Sequence, residues 1–310
     1  MRHLGELEVS DIGLGCLGMS WAYGYADPGL ARQTITLAVE EGVTLFDTAA
    51  SYGHGNNERL LGQALGRRRS EVVVATKTGL TSLPVFGIPT GRDGRPRTIR
   101  RAVDDSLRRL GTDWIDLYYL HRVDPKVPVE ESIGAMAEAV QAGKVRYLGV
   151  SEATAEEVRR AHATHPLSAL QMEWSLFRRK VEDQVLGVAR ELGIGVVAYS
   201  PLGQGMLTGH PSSTTRLGRL DYRRFMPRWR GDGLRTNMRQ VAVVQEVADQ
   251  VGASAAQVAL AWLLAKGEDV VPIPGTTKPH NLRSNLGAST VRLSPQQVER
   301  LDAVAAASRF

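Results

Sequence analysis

The sequence predicts an α/β fold, a (β/α)8 TIM barrel with an N-terminal β-hairpin and long loops at the C-terminal face of its strands. Three observations predict it. Short apolar, β-branched runs alternate with segments of helical apolar spacing along most of the chain, giving eight strands. The length, 310 residues, suits one barrel of about 250 residues plus insertions, so a single domain over 1–310 is expected, with no linker or repeat dividing it. Finally, chemistry-bearing residues sit where strands end: Asp47 after residues 43–46, Lys77 after 71–76 and His121 after 114–120. In a parallel barrel the carboxyl ends of all strands open on one face, so groups far apart in sequence converge there.

Taken in order, Leu7 and Val9 around Glu8, then Ile12, Leu14 and Cys16, predict a short hairpin leading into the first barrel strand. Residues 30–41 carry helical spacing at Ile35, Ala38 and Val39, and Gly42 stops that helix. The strand at 43–46 is followed by a helix over 58–65, closed by Gly66. After the third strand, residues 79–97 are rich in Gly and Pro and too long to be a mere connector, so they are assigned to the substrate site. A helix with Val103, Leu107 and Leu110 inward ends at Gly111. Strand 114–120, helix 129–142, strand 144–150, helix 154–162, strand 169–174, helix 181–192 and strand 194–199 follow. A loop of about forty residues comes next, then helices at 240–251 and 254–266, the eighth strand at 270–273 and a short extra helix at 278–286.

Composition narrows the function. An apolar fraction of 43% with 23% charged residues is that of a soluble globular protein. The one cysteine, Cys16, excludes an internal disulfide, and neither a signal-peptide core nor an apolar run of bilayer length is present, so a cytoplasmic protein without membrane partners is expected. The formal charge of +5 does not mark a nucleic-acid binder, because residues 216–239 alone hold eight arginines against Asp221 and Asp232. That run reads either as a solvated loop or as a clamp for a phosphate-bearing ligand. Outside a cluster at metal spacing, which the chain lacks, no metal is expected, and no GxGxxG follows a first strand, so a dinucleotide-binding Rossmann domain is not indicated.

The strand ends carry the chemistry. Tyr52 follows Asp47 across a short turn, and a phenol, with an ordinary pKa of about 10, needs cationic charge beside it to serve as an acid at neutral pH. Lys77 is expected to supply that charge and lower the pKa of Tyr52, Asp47 to hold the ammonium, and neutral His121 to orient a carbonyl oxygen. Each residue alone reads as well as a loop tyrosine, an ordinary ion pair or a structural histidine; their coincidence at consecutive strand ends favours a catalytic set.

The segments FDTAASYGHGNNERLLGQAL, VVVATKTG, SLRRLGTDWIDLYYLHRVD, GKVRYLGVSEA, LQMEWSLF, VVAYSPLGQGMLTG and VPIPGTTKPHNLRSNLGA, from Gly13 to about Ala288, resemble those of the aldo-keto reductases and occur in that family's order. The resemblance implies a barrel plugged at its base by the hairpin and an NADPH-dependent reduction of aldehydes or ketones, with Tyr52 as proton donor. It implies further that Ser151, Glu152 and Gln171 hold the nicotinamide amide, Glu152 standing where many members have asparagine, and that Tyr199 stacks on the ring. The segment from Ser200, Pro201, Leu202 and Gly203 to Gly205 would pass the pyrophosphate. Gly275, Thr276, Thr277 and Lys278, leading into a helix with Arg283 and Asn285, form an anion site at a helix start, which with the arginine run favours NADPH over NADH. Trp21, Tyr23, Phe86, Trp174 and Trp229 are candidates for the substrate pocket.

Two readings from other classes remain beside the reductase. One is a non-catalytic, NADPH-binding regulatory subunit of the same fold, as the potassium-channel β subunits resemble; those tend to lose the histidine at the position of His121, which this chain keeps. The other is a Schiff-base lyase using Lys77, since a strand-end lysine in a barrel is also the nucleophile of a class I aldolase. The arginine run, from Arg216 and Arg219 through Arg223, Arg224, Arg228 and Arg230, is expected to stay off the barrel and close over the cofactor as a lid.

Overall fold

A computed structural model describes residues 1–20, 23–83, 89–209, 217 and 221–306. A hairpin of β1 (Arg2–Leu4) and β2 (Leu7–Val9) precedes β3 (Leu14–Gly15), β4 (Leu45–Asp47) and β5 (Val73–Thr78). After a second hairpin, β6 (Leu80–Ser82) and β7 (Pro89–Arg92), come β8 (Ile115–Leu120), β9 (Val145–Ser151), β10 (Ala169–Glu173), β11 (Gly195–Tyr199) and β12 (Val270–Pro272). Among the described residues, β3, β4, β5 and β8 to β12 form one eight-stranded sheet in sequence order, with every pair parallel. First and last strands meet through a parallel bridge between Gly15 and Gly275 and a bond from the Gly13 amide to the Pro272 carbonyl, 3.0 Å, which curls the sheet into the (β/α)8 barrel. Glycine is required there: a Cβ on Gly15 would lie 2.7 Å from the Ile273 carbonyl oxygen.

The helices between strands are α1 (Pro28–Glu40), α2 (Asn56–Leu65), α3 (Pro96–Leu110), α4 (Val129–Gln141), α5 (Ala155–Thr164), α6 (Lys180–Gln184) and α7 (Leu186–Glu191). Then come α8 (Gly231–Val251), α9 (Ala255–Leu264), α10 (Pro279–Leu286) and α11 (Pro295–Ala306). Local chemistry sets their starts. Asp27 caps α1 through the amides of Gly29 and Leu30 with Pro28 in the first turn, while Thr154 with Glu157 and Ser254 with Gln257 form capping boxes on α5 and α9. Among the described residues no single helix is long and apolar enough to cross a membrane.

Period two along the strands divides the side chains between two cores. Phe46, Val74, Tyr118, Leu148, Leu170 and Val196 face the helices, in the larger apolar cluster. Leu45, Ala75, Leu117, Tyr119, Ala169 and Val197 face inward, where Leu4, Leu7 and Val9 of the first hairpin join them and plug the base. The plug is seated by Arg2, whose guanidinium donates to the carbonyls of Gly267, Val270 and Leu264.

Several elements differ from expectation. Within the described part of 79–97 there is a hairpin: β6 and β7 pair antiparallel, with the Thr81 and Thr90 hydroxyls 3.0 Å apart across them. Strand β5 runs two residues later than predicted, so Lys77 lies within it. The helix expected at 181–192 breaks at Val185, and α8 begins at Gly231 rather than Gln240. Its first turns carry Gly231, Gly233 and Asn237, which erase the apolar period, and Asn237 instead donates to the Arg228 carbonyl at 3.1 Å. Helix α11 was not foreseen; it packs against α8 through Leu301 and Val304.

Candidate active site

The inward parity of the strands explains what gathers at the carboxyl ends. Continuing Leu45 by two gives Asp47, Ala75 gives Lys77, Tyr119 gives His121, Ala169 gives Gln171 and Val197 gives Tyr199. Lys77 is fully buried and spends its ammonium on three acceptors: Asp47 Oδ1 at 2.5 Å, the Thr48 carbonyl at 2.8 Å and the Tyr52 hydroxyl at 3.5 Å. The other carboxylate oxygen of Asp47 accepts from Gln171 Nε2 at 2.7 Å. Tyr52 is presented by a turn closed by its amide on the Ala49 carbonyl and followed by Gly53, His54 and Gly55, all at positive φ. The His121 ring meets the Tyr52 ring edge to face, 5.8 Å between centroids, and its Nδ1 lies 3.5 Å from the Ser51 hydroxyl.

Burial dominates the titration of these groups. It holds the His121 imidazolium disfavoured, with the charges of Lys77 and Arg122 adding to the effect, so the ring is neutral well below its ordinary pKa. Burial also lowers Lys77, against the pull of Asp47. The expectation that Lys77 makes Tyr52 more acidic is corrected: burial, then the Asp47 charge, push the phenol well above its ordinary range, and Arg122 works the other way. With burial the larger cause, Tyr52 keeps its proton at neutral and mildly alkaline pH.

A cavity of about 580 Å³ opens over Asp47 and Tyr52. Of the residues expected at a cofactor, Tyr199, Ser200, Pro201, Leu202 and Gly205 line one side of it, and Gly275, Thr276, Lys278 and Asn285 another. Others are engaged elsewhere. The Ser151 hydroxyl accepts from Arg122, Glu152 Oε1 accepts from the Glu173 amide, and the amide nitrogen of Gln171 is spent on Asp47. Gly203 packs on the Phe177 ring, the Thr277 carbonyl accepts from the Thr34 hydroxyl at 2.9 Å, and Arg283 pairs with Glu41 at 2.9 Å.

The aromatic candidates divide. Tyr23 lines the cavity. Trp174 does not: it follows Leu170 and Met172 on the outward parity, is fully buried against Trp262, and donates its indole N–H to Glu182 at 2.9 Å. Trp229 is buried beneath the Arg223 guanidinium, which stacks 5.0 Å from it and 4.8 Å from Tyr23. Trp21 and Phe86, like Arg216 and Arg219, lie outside the described residues. The arginine run departs from the expected free lid where it is described: Arg223 grips buried Asp221, donates to the Gln204 carbonyl at 2.6 Å and itself lines the cavity. Arg228 reaches Glu173 at 3.7 Å and Arg235 pairs with Asp232.

Sequence reasoning missed Arg122, whose Nη1 donates to the His121 carbonyl at 2.6 Å and to Ser151 Oγ at 3.1 Å, although its place directly after His121 was a signal. It also missed His280, Asn281 and Ser284, which with Asn285 line the cavity from α10. Their helical spacing behind the anion site at Lys278 would have found them. The groups present fit a nicotinamide dinucleotide: a tyrosine and backbone of left-handed Ser200 at one end, and at the other the start of α10 with Thr276 and Lys278. Between them Gln204 Oε1 is buried without a partner. Among the described residues no group of three His, Cys, Asp or Glu is arranged to hold a metal ion.

A parallel barrel with a buried carboxylate–lysine pair behind a tyrosine defines a class, and comparison with known proteins agrees. Residues 11–306 match the Aldo/keto reductase family, and the chain belongs to it. It is similar to the glycerol dehydrogenase AKR11B4 from Gluconobacter oxydans, with 31% identity over 100% of this chain and 95% of that one and a TM-score of 0.90. It is also similar to the holo form of aldo-keto reductase AKR11C1 from Bacillus halodurans, with 27% identity, 100% and 97% coverage and a TM-score of 0.82. The thermostable aldo-keto reductase Tm1743, in complex with the inhibitor epalrestat, shares 29% identity over 98% of each chain, with a TM-score of 0.77.

Proposed function

We propose that this protein is an NADPH-dependent reductase that converts aldehydes or ketones to alcohols, with Tyr52 as the proton donor. The observation that carries the reading is the buried Asp47–Lys77 pair, whose ammonium reaches the hydroxyl of a tyrosine that lines the large cavity. When bound, the nicotinamide supplies the hydride to the carbonyl carbon. The chain's own residues do the rest. Neutral His121 directs a ring N–H at the carbonyl oxygen, Tyr52 Oη gives its proton to that oxygen as charge develops on it, and Lys77 and Arg122 stabilise the phenolate left behind. A phenol held protonated well above neutral pH suits the reducing direction.

Tyr199 and Ser200 support a seat for the nicotinamide and ribose, and Thr276 and Lys278 support NADPH over NADH through the 2′-phosphate. A Schiff base on Lys77 is disfavoured, because the amine is fully buried with its donors directed at Asp47, the Thr48 carbonyl and Tyr52. Loss of NADPH absorbance with a panel of aldehydes tests the proposal. Turnover in wild type with none in Tyr52→Phe, and NADPH faster than NADH, supports it; undiminished turnover in Tyr52→Phe refutes the role of the phenol.

A further inference from the structure

The ammonium of Lys77 has three N–H groups and meets three acceptors. Asp47 Oδ1 at 2.5 Å and the Thr48 carbonyl at 2.8 Å hold it closely, while the Tyr52 hydroxyl, at 3.5 Å, holds it least. A fourth acceptor nearby would draw away the N–H that serves the phenol. Asp47 carries such an acceptor in Oδ2, because a carboxylate free to turn offers a cation both of its oxygens. What occupies Oδ2 is Gln171, whose Nε2 donates to it at 2.7 Å with both side chains buried. The orientation of that amide follows from chemistry: an ionised carboxylate only accepts, so the nitrogen of Gln171 faces it and the oxygen is turned away.

The contact crosses the barrel. Strand β10 stands opposite β4, reached through β9, β8 and β5 in one direction and through β11, β12 and β3 in the other. The titratable groups set around the amide are Asp47 and Lys77 on β4 and β5, Tyr119 and His121 from β8, Arg122 bonded to the register partner Ser151 on β9, and Tyr199 on β11. Asp47 is the one that Gln171 bonds. Asp47 and Tyr52 are among the described residues that wall the cavity, and Gln171 is not. Resting on the reductase reading above, we infer that Gln171 is a positioning residue for the proton transfer: by holding Asp47 Oδ2 it leaves the third N–H of Lys77 on Tyr52 Oη. There the N–H stabilises the phenolate that remains once the carbonyl oxygen has taken the proton. The geometry thus gives Gln171 work on the buried ion pair, where the resemblance gives it only the nicotinamide amide.

The test measures aldehyde turnover at saturating NADPH across pH for wild type, Gln171→Met and Gln171→Glu, with NADPH affinity by fluorescence and melting on the same samples. Gln171→Met keeps the length and removes the donor. It should lower kcat by roughly ten- to a hundredfold, the range set by one hydrogen bond to a buried charge, with NADPH affinity near wild type. Gln171→Glu puts two carboxylates in contact, and such a pair keeps a shared proton to a pH above the ordinary carboxylate range. While the proton is held, the new carboxyl donates to Oδ2 as the amide does; once it is lost, the contact turns repulsive. Turnover of Gln171→Glu relative to wild type should therefore recover as pH falls from about 8 to about 5.5 and fade as pH rises. Gln171→Met with wild-type kcat and weakened NADPH binding, or Gln171→Glu at a fixed fraction of wild type over that range, would overturn the inference and leave the reductase reading standing. A wild type that oxidises NADPH with no aldehyde would overturn both.

Discussion

The two ends of the barrel use the same strands for opposite purposes. At the base, inward residues are apolar and close-packed, Leu4, Leu7 and Val9 of the hairpin fitting among Leu45, Leu117 and Val197. Two residues beyond Leu45, Ala75, Tyr119, Ala169 and Val197 the inward positions become Asp47, Lys77, His121, Gln171 and Tyr199. The four non-glycine residues at positive φ among the described chain, His54, Glu152, Ser200 and Gln204, all stand at this upper end as well. One end lowers the free energy of the fold and the other raises it in exchange for chemistry.

The largest effect that would sharpen the contrast is kinetic. Tyr52→Phe should lower carbonyl reduction by about 10²–10⁴-fold, the usual weight of a general acid, while NADPH affinity and thermal stability stay near wild type. Steady-state rates, fluorescence titration and melting on the same preparation check it. At the base the pattern should invert: Leu4→Ala, which empties part of the plug, should cost about 2–5 kcal/mol in denaturant unfolding with the turnover of the folded enzyme preserved.

Titration should separate the two ends too. His121 is held neutral in the fold but protonates at about 6.5 when unfolded, so below that pH the unfolded state binds a proton that the native state refuses. Stability therefore falls as pH drops below about 6.5, by about 1.4 kcal/mol per pH unit from this group, until the folded ring itself protonates. His121→Gln should unfold with a correspondingly shallower acid slope between pH 6.5 and 5. The smallest effect is a control remote from both ends: Thr154→Ala removes the α5 capping box and should cost about 1 kcal/mol without changing turnover.

How much of this was legible in the sequence depends on which period carried it. The strands that deliver Asp47, Lys77 and His121 were readable because β-branched runs stop at polar residues, and their inward placement followed from the alternation. The same alternation would have rejected Trp174, which shares a face with Leu170 and Met172; aromatic character alone suggested a pocket. The hairpin within 79–97 and the start of α8 were hidden because Gly, Pro and polar residues there mask any period, and only tertiary contacts select the structure. The acidity of Tyr52 was misjudged for a different reason: sequence places Lys77 and Asp47 near it but does not reveal how deeply the phenol is buried, which is what chiefly raises its pKa.

The central claim is that the buried charges at the upper end are kept for chemistry and not for stability. It is tested most directly by measuring unfolding free energy and aldehyde turnover for wild type, Lys77→Met and the double variant Asp47→Asn with Lys77→Met. Lys77→Met strands a buried carboxylate and should lose about 3–5 kcal/mol. The double variant should regain most of that stability, because no charge is left unpaired, and yet remain without turnover. A double variant as unstable as the single one, or one that reduces aldehydes at the wild-type rate, would contradict the account.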